Sequence, residues 1–185
     1  MRKLLPVMIL LIGCASEKPF DEAAAVEKGR AIANTSFQTL MAQVTAAMQE
    51  GGPTHAVAYC NLQALPLVDS LSSVEGVRIK RTSDRIRAPH DRPDADERRA
   101  LEHYMQMVEQ GGDTTSPVVW LLGDSVAYYQ PIFIVSPNCL KCHGTPGKEL
   151  DPAAHAEIQR LYPEDEAIGY SEGEFRGLWS IRWER

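Results

Sequence analysis

The sequence predicts an α+β fold: helices first, then an antiparallel sheet interrupted by a cysteine-bearing segment. Three observations predict it. Apolar residues recur at helical spacing between Asp21 and Glu50. Two strand-like runs flank the turn Gly123-Asp124-Ser125. The stretch Leu178 to Trp183 alternates strictly, with Trp179, Ile181 and Trp183 on one face. The chain has 185 residues, 44% hydrophobic and 24% charged, which fits a single globular domain and excludes a disordered, collagenous or polytopic membrane chain. Nineteen basic against 25 acidic residues give a net charge of −6, so the basic footprint of a nucleic-acid binder is absent.

The first element is a leader. Met1-Arg2-Lys3 precedes the apolar run Leu4 to Ile12, too short for the roughly 20 residues that a spanning helix needs. Leu11-Ile12-Gly13-Cys14 resembles the lipobox of bacterial lipoproteins, in which the chain is cut before the cysteine and the cysteine takes the lipid. Residues 1–13 are therefore expected to be a signal peptide, Cys14 the lipid attachment site, residues 14–20 a tether and residues 21–185 the domain. The expected location is the periplasm of a bacterium, anchored to the outer membrane. The competing reading is a plain secretory signal with Cys14 as a bystander.

Val26, Ala33, Phe37, Leu40, Val44 and Met48 form one face of the first helix, which Gly51-Gly52-Pro53 should end. Thr54 then caps a second helix carrying His55, Val57, Cys60, Leu62 and Leu65, bent at Pro66. Val77 to Thr82 reads as a strand and Arg85 to Pro93 as a loop rich in Arg and Pro. Asp94 and Glu97 form a capping-box pattern for a helix that stops at Gly111-Gly112. Val118–Leu122 and Val126–Val135 form the hairpin, a short helix covers about Pro152 to Leu161, and the alternating strand closes the chain.

The chemistry sits at Cys139-Leu140-Lys141-Cys142-His143. Cys-x-x-Cys-His is the attachment motif for c-type haem. Two thiols separated by two residues reach the two porphyrin vinyl groups, and the next residue offers an imidazole to the iron. With 4 Cys and 5 His in 185 residues, about 0.002 such matches are expected by chance. Two other readings compete: a zinc site using both thiolates and the imidazole, and a redox disulfide between Cys139 and Cys142. Zinc would need a fourth ligand from far away, and neither reading needs His143 at that place. Export favours haem, which is attached outside the cytoplasm.

Cys60 is left over. It is either a small buried apolar residue on a helix face or the second axial ligand of the iron, where a thiolate would favour the ferric state. His55, His90, His103, His155, Met105 and Met107 are chemically able to take the same place. Arg81 and Arg87 are candidates for pairing with haem propionates, against the plain reading of a solvated basic loop.

The chain also resembles the Tll0287-like haem-binding domains. The resemblance is carried by Ala56 to Cys60, Val77 to Ser83, Arg87 to Asp94, Cys139 to Gly144, Tyr162 to Asp165, Gly169-Tyr170 and Gly173 to Gly177, in that order and spacing. Ala88 and Asp91 stand where the family usually has Asn. The resemblance implies a PAS-like fold preceded by a long helix. It also implies one covalent haem with a cysteine opposite the motif histidine, which here means His143 and Cys60. The expected function is redox or small-gas sensing, with haem as the cofactor and a redox or signalling protein as partner. The alternative is a monohaem electron-transfer cytochrome. A peroxidase is a third reading, and catalysis is not expected because an iron-bound Cys60 would leave no open sixth position.

Overall fold

The computed structural model describes residues 19–185. The expected signal peptide, Cys14 and most of the tether lie outside the described residues. Four helices, a 3₁₀ turn and one four-stranded sheet make up the rest. They are α1 (Glu22–Glu75), β1 (Arg78–Thr82), the turn Pro89–Asp91, α2 (Ala95–Glu109), β2 (Val118–Leu122), β3 (Ser125–Phe133), α3 (Pro137–His143), α4 (Pro152–Leu161) and β4 (Phe175–Glu184). Every strand pairing is antiparallel and the order is β1-β4-β3-β2. The α+β, PAS-like expectation with a long leading helix is met.

α1 starts at Asp21, whose carboxylate accepts from the Ala24 amide, and stops at Gly76 in the left-handed region. The backbone leaves helical values at Gly51 and Gly52, where the sequence predicts the break, so α1 is two helical arms across a kink. Gly52 has φ 71°, which favours glycine. Both arms lie on one sheet face. Ile32, Ala33 and Leu40 of the first and Ala64 and Val68 of the second pack with Ile79, Tyr128, Trp179 and Ile181.

The other face holds α2, where Ala100, Leu101 and Tyr104 cover Ala127, Tyr129 and Leu178. Asp94 and Glu97 make the expected capping box. β4 runs out of simple alternation near its start. Phe175 and Leu178, three residues apart, pack in the same cluster, and Phe175 stacks on Tyr104 at 5.9 Å. The slip falls at Gly177, with φ 152°, where a Cβ would lie 2.3 Å from the Thr82 carbonyl oxygen. A glycine is required there, and the close approach lets the Ser83 hydroxyl donate to the Arg176 carbonyl at 2.7 Å. Among the described residues no helix is long and apolar enough to cross a membrane.

Candidate functional site

The Cys-x-x-Cys-His segment is itself a helix. Ser136 in extended conformation and Pro137 in the first turn start α3, and Gly144 ends it. Helical spacing puts Cys139 and Cys142 on one face. Leu140 is buried against Ile134, Ala167 and Tyr170, with Cys139 packed beside them. Cys142 packs against the cluster of Val57, Ala88, Leu150, Ala154, Ile158 and Tyr162. Both thiols are free and half-buried.

His143 is fixed by the segment after α4. Its Nδ1 lies 2.7 Å from the Ala167 carbonyl oxygen, which can only accept, so Nδ1 carries the proton and Nε2 is left as the ligating atom. The Tyr170 amide donates to the His143 carbonyl at 2.9 Å and the Gly169 amide to the Gly144 carbonyl at 2.8 Å. Burial, helped by nearby Arg87, Arg176 and Arg81, holds the imidazole pKa well below its ordinary value, so the ring is neutral at physiological pH.

Cys60 sits on the second arm of α1, one turn after Val57. Val57 packs in the Cys142 cluster, and Cys60 packs against the α1–sheet core. Cys60 and Cys142 are close enough to raise the proton affinity of Cys142 through their mutual charge. Burial pushes the Cys60 thiol up, with Arg81 and Arg87 pulling against it. Burial likewise pushes Cys142 up to about 11. The fold thus brings α1 against α3 and sets Cys60 within electrostatic reach of Cys142, 82 positions further along the sequence and next to His143.

The rival donors fall elsewhere. His103, Met105 and Met107 ride on α2, across the sheet from α1. His55 is exposed and 3.5 Å from Glu50, and His90 is exposed and 3.5 Å from Asp91. His155 is the exception: it is half-buried on α4, whose Ala154 and Ile158 pack beside Cys142. Among the described residues no three His, Cys, Asp or Glu side chains converge as a cage for a bare metal ion.

The two arginines read from the sequence have different fates. Arg87, expected as a propionate contact, is engaged otherwise. Its Nε lies 3.0 Å from Asp165 Oδ1, and its Nη2 donates to the carbonyls of Cys142 at 2.7 Å and Ala167 at 3.1 Å. The same two carbonyl-bearing residues flank and hold His143, so Arg87 is a clamp on the motif. Arg81 has no hydrogen bond or ion pair among the described residues.

Two residues went unread as site residues. Arg176 and Tyr170 lie beside His143, whose ring meets that of Tyr170 edge-on at 6.2 Å. The guanidinium carbons of Arg85 and Arg176 stand 4.0 and 5.4 Å from the Tyr170 ring centre. The Tyr170 hydroxyl is buried without a hydrogen-bond partner. The sequence offered a weak signal, since Tyr170 falls in the Gly169-Tyr170 piece and Arg176 in the Gly173 to Gly177 piece of the family resemblance, but nothing there said which side chains turn inward.

Free paired thiols, an oriented imidazole, a facing sulfur and surplus guanidinium groups suit a large, anionic, thiol-linked macrocycle better than a bare ion.

This architecture defines a class, and the comparisons name it. The Tll0287-like family model matches residues 21–183, so the chain belongs to that family. The crystal structure of the cyanobacterial heme-protein Tll0287 is similar in fold, with a TM-score of 0.61 and 22% identity over 86% of this chain and 95% of that one. No curated protein matches the chain.

Proposed function

We propose that the protein carries one haem c, covalently bound through Cys139 and Cys142, with the iron held between His143 and Cys60. The observation that carries this reading is the contact of α1 with the Cys-x-x-Cys-His helix, with Cys60 of the second arm in electrostatic reach of Cys142. Family membership supports it, as does the fold similarity to a structure described as a heme-protein. Bound haem would supply one-electron chemistry and a site for small gases.

The chain's own part is to hold that group. The two thiols form the covalent links. The Ala167 carbonyl fixes the His143 ring with Nε2 outward. Arg87 locks the backbone on either side of that ring. Two charged groups near Cys60, Arg81 and Arg87, offset the cost of burying it as a thiolate.

The function that follows is redox or small-gas sensing in the periplasm by a protein held to the membrane through a lipid on Cys14. Cys60 lies on the arm of α1 beyond the Gly51–Gly52 kink, and Ala64 and Val68 of that arm pack on the sheet, so a change at the sulfur would be passed to the sheet through this arm. Electron transfer to a protein partner is the second reading, favoured by the half-exposed Cys139 and Cys142, which would leave a haem edge near the surface. Catalysis is not proposed, because Cys60 fills the position that a peroxidase keeps open.

The test compares the absorption spectrum and mass of the parent with those of Cys60→Ser. The parent should be coloured and heavier than its polypeptide by one haem. Cys60→Ser should keep the mass and lose the thiolate bands, and CO should then bind the reduced form more readily than in the parent. Unchanged bands would remove Cys60 as ligand, and a colourless parent would remove the haem.

A further inference from the structure

The Cys-x-x-Cys-His corner holds four guanidinium groups, and their partners account for only two of them. Arg87 is paired with Asp165. Arg85 spends its Nε and Nη2 on the carbonyls of Glu166 and Ile168. Arg81 has no polar partner among the described residues. Arg176 has a single carbonyl, that of Arg85 at 3.1 Å from its Nη1, and no carboxylate within ion-pair distance. The Asp91 carboxylate is in electrostatic reach of Arg176 and lies 3.5 Å from His90. Beside these two cations lies the Tyr170 hydroxyl, on a residue 3% exposed, with nothing to donate to.

A buried hydroxyl without a partner is costly and rarely kept without a reason, and the two half-buried guanidinium groups without an anion beside it leave a local surplus of positive charge. Three such groups within one corner call for an acceptor-rich, doubly negative ligand. The backbone is arranged to bring them together. Gly177 slips the pleat of β4 and turns Arg176 away from the α2 face, while its close approach to Thr82 brings the end of β1, with Arg81, alongside.

We propose that Arg81, Arg176 and the Tyr170 hydroxyl anchor the two propionates of the haem, and that Arg87 is a positioning residue that holds the Cys142–His143 turn. The inference rests on the haem reading above and deepens it. Guanidinium forks fit carboxylates, and the phenol donates the remaining hydrogen bond. The propionates thereby stay ionised in a buried setting.

The experiment uses the full chain, produced in a bacterium with its own haem-attachment machinery, and follows the reduction potential against pH. The potential falls with rising pH across the propionate ionisation. Arg81→Gln and Arg176→Gln should each move that inflection to higher pH, corresponding to about a tenfold gain in propionate proton affinity. Tyr170→Phe should change it about threefold. Arg176→Lys should return it most of the way, which separates charge from packing. Haem mass per chain should be retained in all four, since the attachment thiols are intact. Arg87→Gln should leave the inflection in place and instead alter the bands that report His143 ligation. Identical pH profiles in parent and Gln variants, with haem retained, would overturn the anchor and leave the haem reading standing. A parent without haem mass would overturn both.

Discussion

Two polar clusters border the same sheet, and they handle charge in opposite ways. One knots β1, α2 and β4 together. Glu97, fully buried, takes Lys80 Nζ at 2.6 Å and has Arg78 at 3.8 Å, while Asp94 takes Arg182 at 3.0 Å and has Arg78 at 3.7 Å. Arg182 also reaches Asp96 at 3.9 Å. Three cations face three carboxylates. The other cluster, around His143 and Tyr170, sets Arg81, Arg85, Arg87 and Arg176 against Asp165 as the one paired carboxylate. The difference teaches how to separate scaffold from site. Both clusters keep buried polar atoms without a hydrogen-bond partner, Glu97 Oε1 and Arg182 Nε in the first and the Tyr170 hydroxyl in the second, so the mark of a site is charge: a network whose charges balance holds the fold, and one with surplus positive charge is there to hold something else.

Substitutions can break or sharpen that contrast. The largest effect belongs to Glu97→Ala, which empties a fully buried position and takes the carboxylate from Lys80 and Arg78, leaving the half-buried Lys80 only the Arg92 carbonyl. It should cost about 3–5 kcal/mol in urea unfolding and leave the haem spectrum of the surviving protein unchanged. Gly177→Ala touches the link between the two regions. A methyl group against the Thr82 carbonyl should cost about 1–3 kcal/mol, with the loss read as a lower Tm. Arg176→Met should act with the reverse sign. In chain made without haem, removing an unpaired cation from a crowd of like charges should raise stability by about 1 kcal/mol. If that variant instead destabilises as Glu97→Ala does, the two clusters are of one kind.

The mildest test is acid. Partial burial works to raise the Asp94 carboxyl, but the Glu97 amide and the charge and hydrogen bond of Arg182 outweigh it and hold it below its ordinary 3.8. A depressed folded pKa means the contribution is complete above the unfolded value and is lost as the pH falls through the folded one. Stability of the parent should therefore decline as the pH drops below about 4, and Asp94→Asn should flatten that decline. A variant with the same acid profile as the parent would take Asp94 out of the knot.

Much of the fold was legible because its signals are local. The capping box at Asp94 and Glu97, the Gly123 hairpin, the Pro152–Leu161 helix and the alternating last strand each announce themselves within a few residues. The Cys139–His143 motif was legible for the same reason. What depends on distant pairing was not. Glu97 read as a cap, yet it is also the buried acid that Lys80 and Arg78 answer from β1. Arg87 read as a cation for a ligand, yet Asp165 and two carbonyls claim it. Arg176 lies where simple alternation would send it to the α2 side, and only the slip at Gly177 redirects it. The break at Gly51 and Gly52, by contrast, was local and is present: the backbone leaves helical values at both residues.

The strand order carries a consequence for how the chain matures. β4, the last ten residues but one, lies between β1 and β3. Until it arrives, β1 has no neighbour and β2 with β3 is an isolated hairpin, a unit of marginal stability in water. Closure joins residues about a hundred positions apart, which makes it slow. The sheet therefore stays in two unjoined parts until β4 pairs, and Cys139 and Cys142, which precede β4, lie between them in the chain. A truncation before Phe175 would leave the two halves of the sheet unconnected.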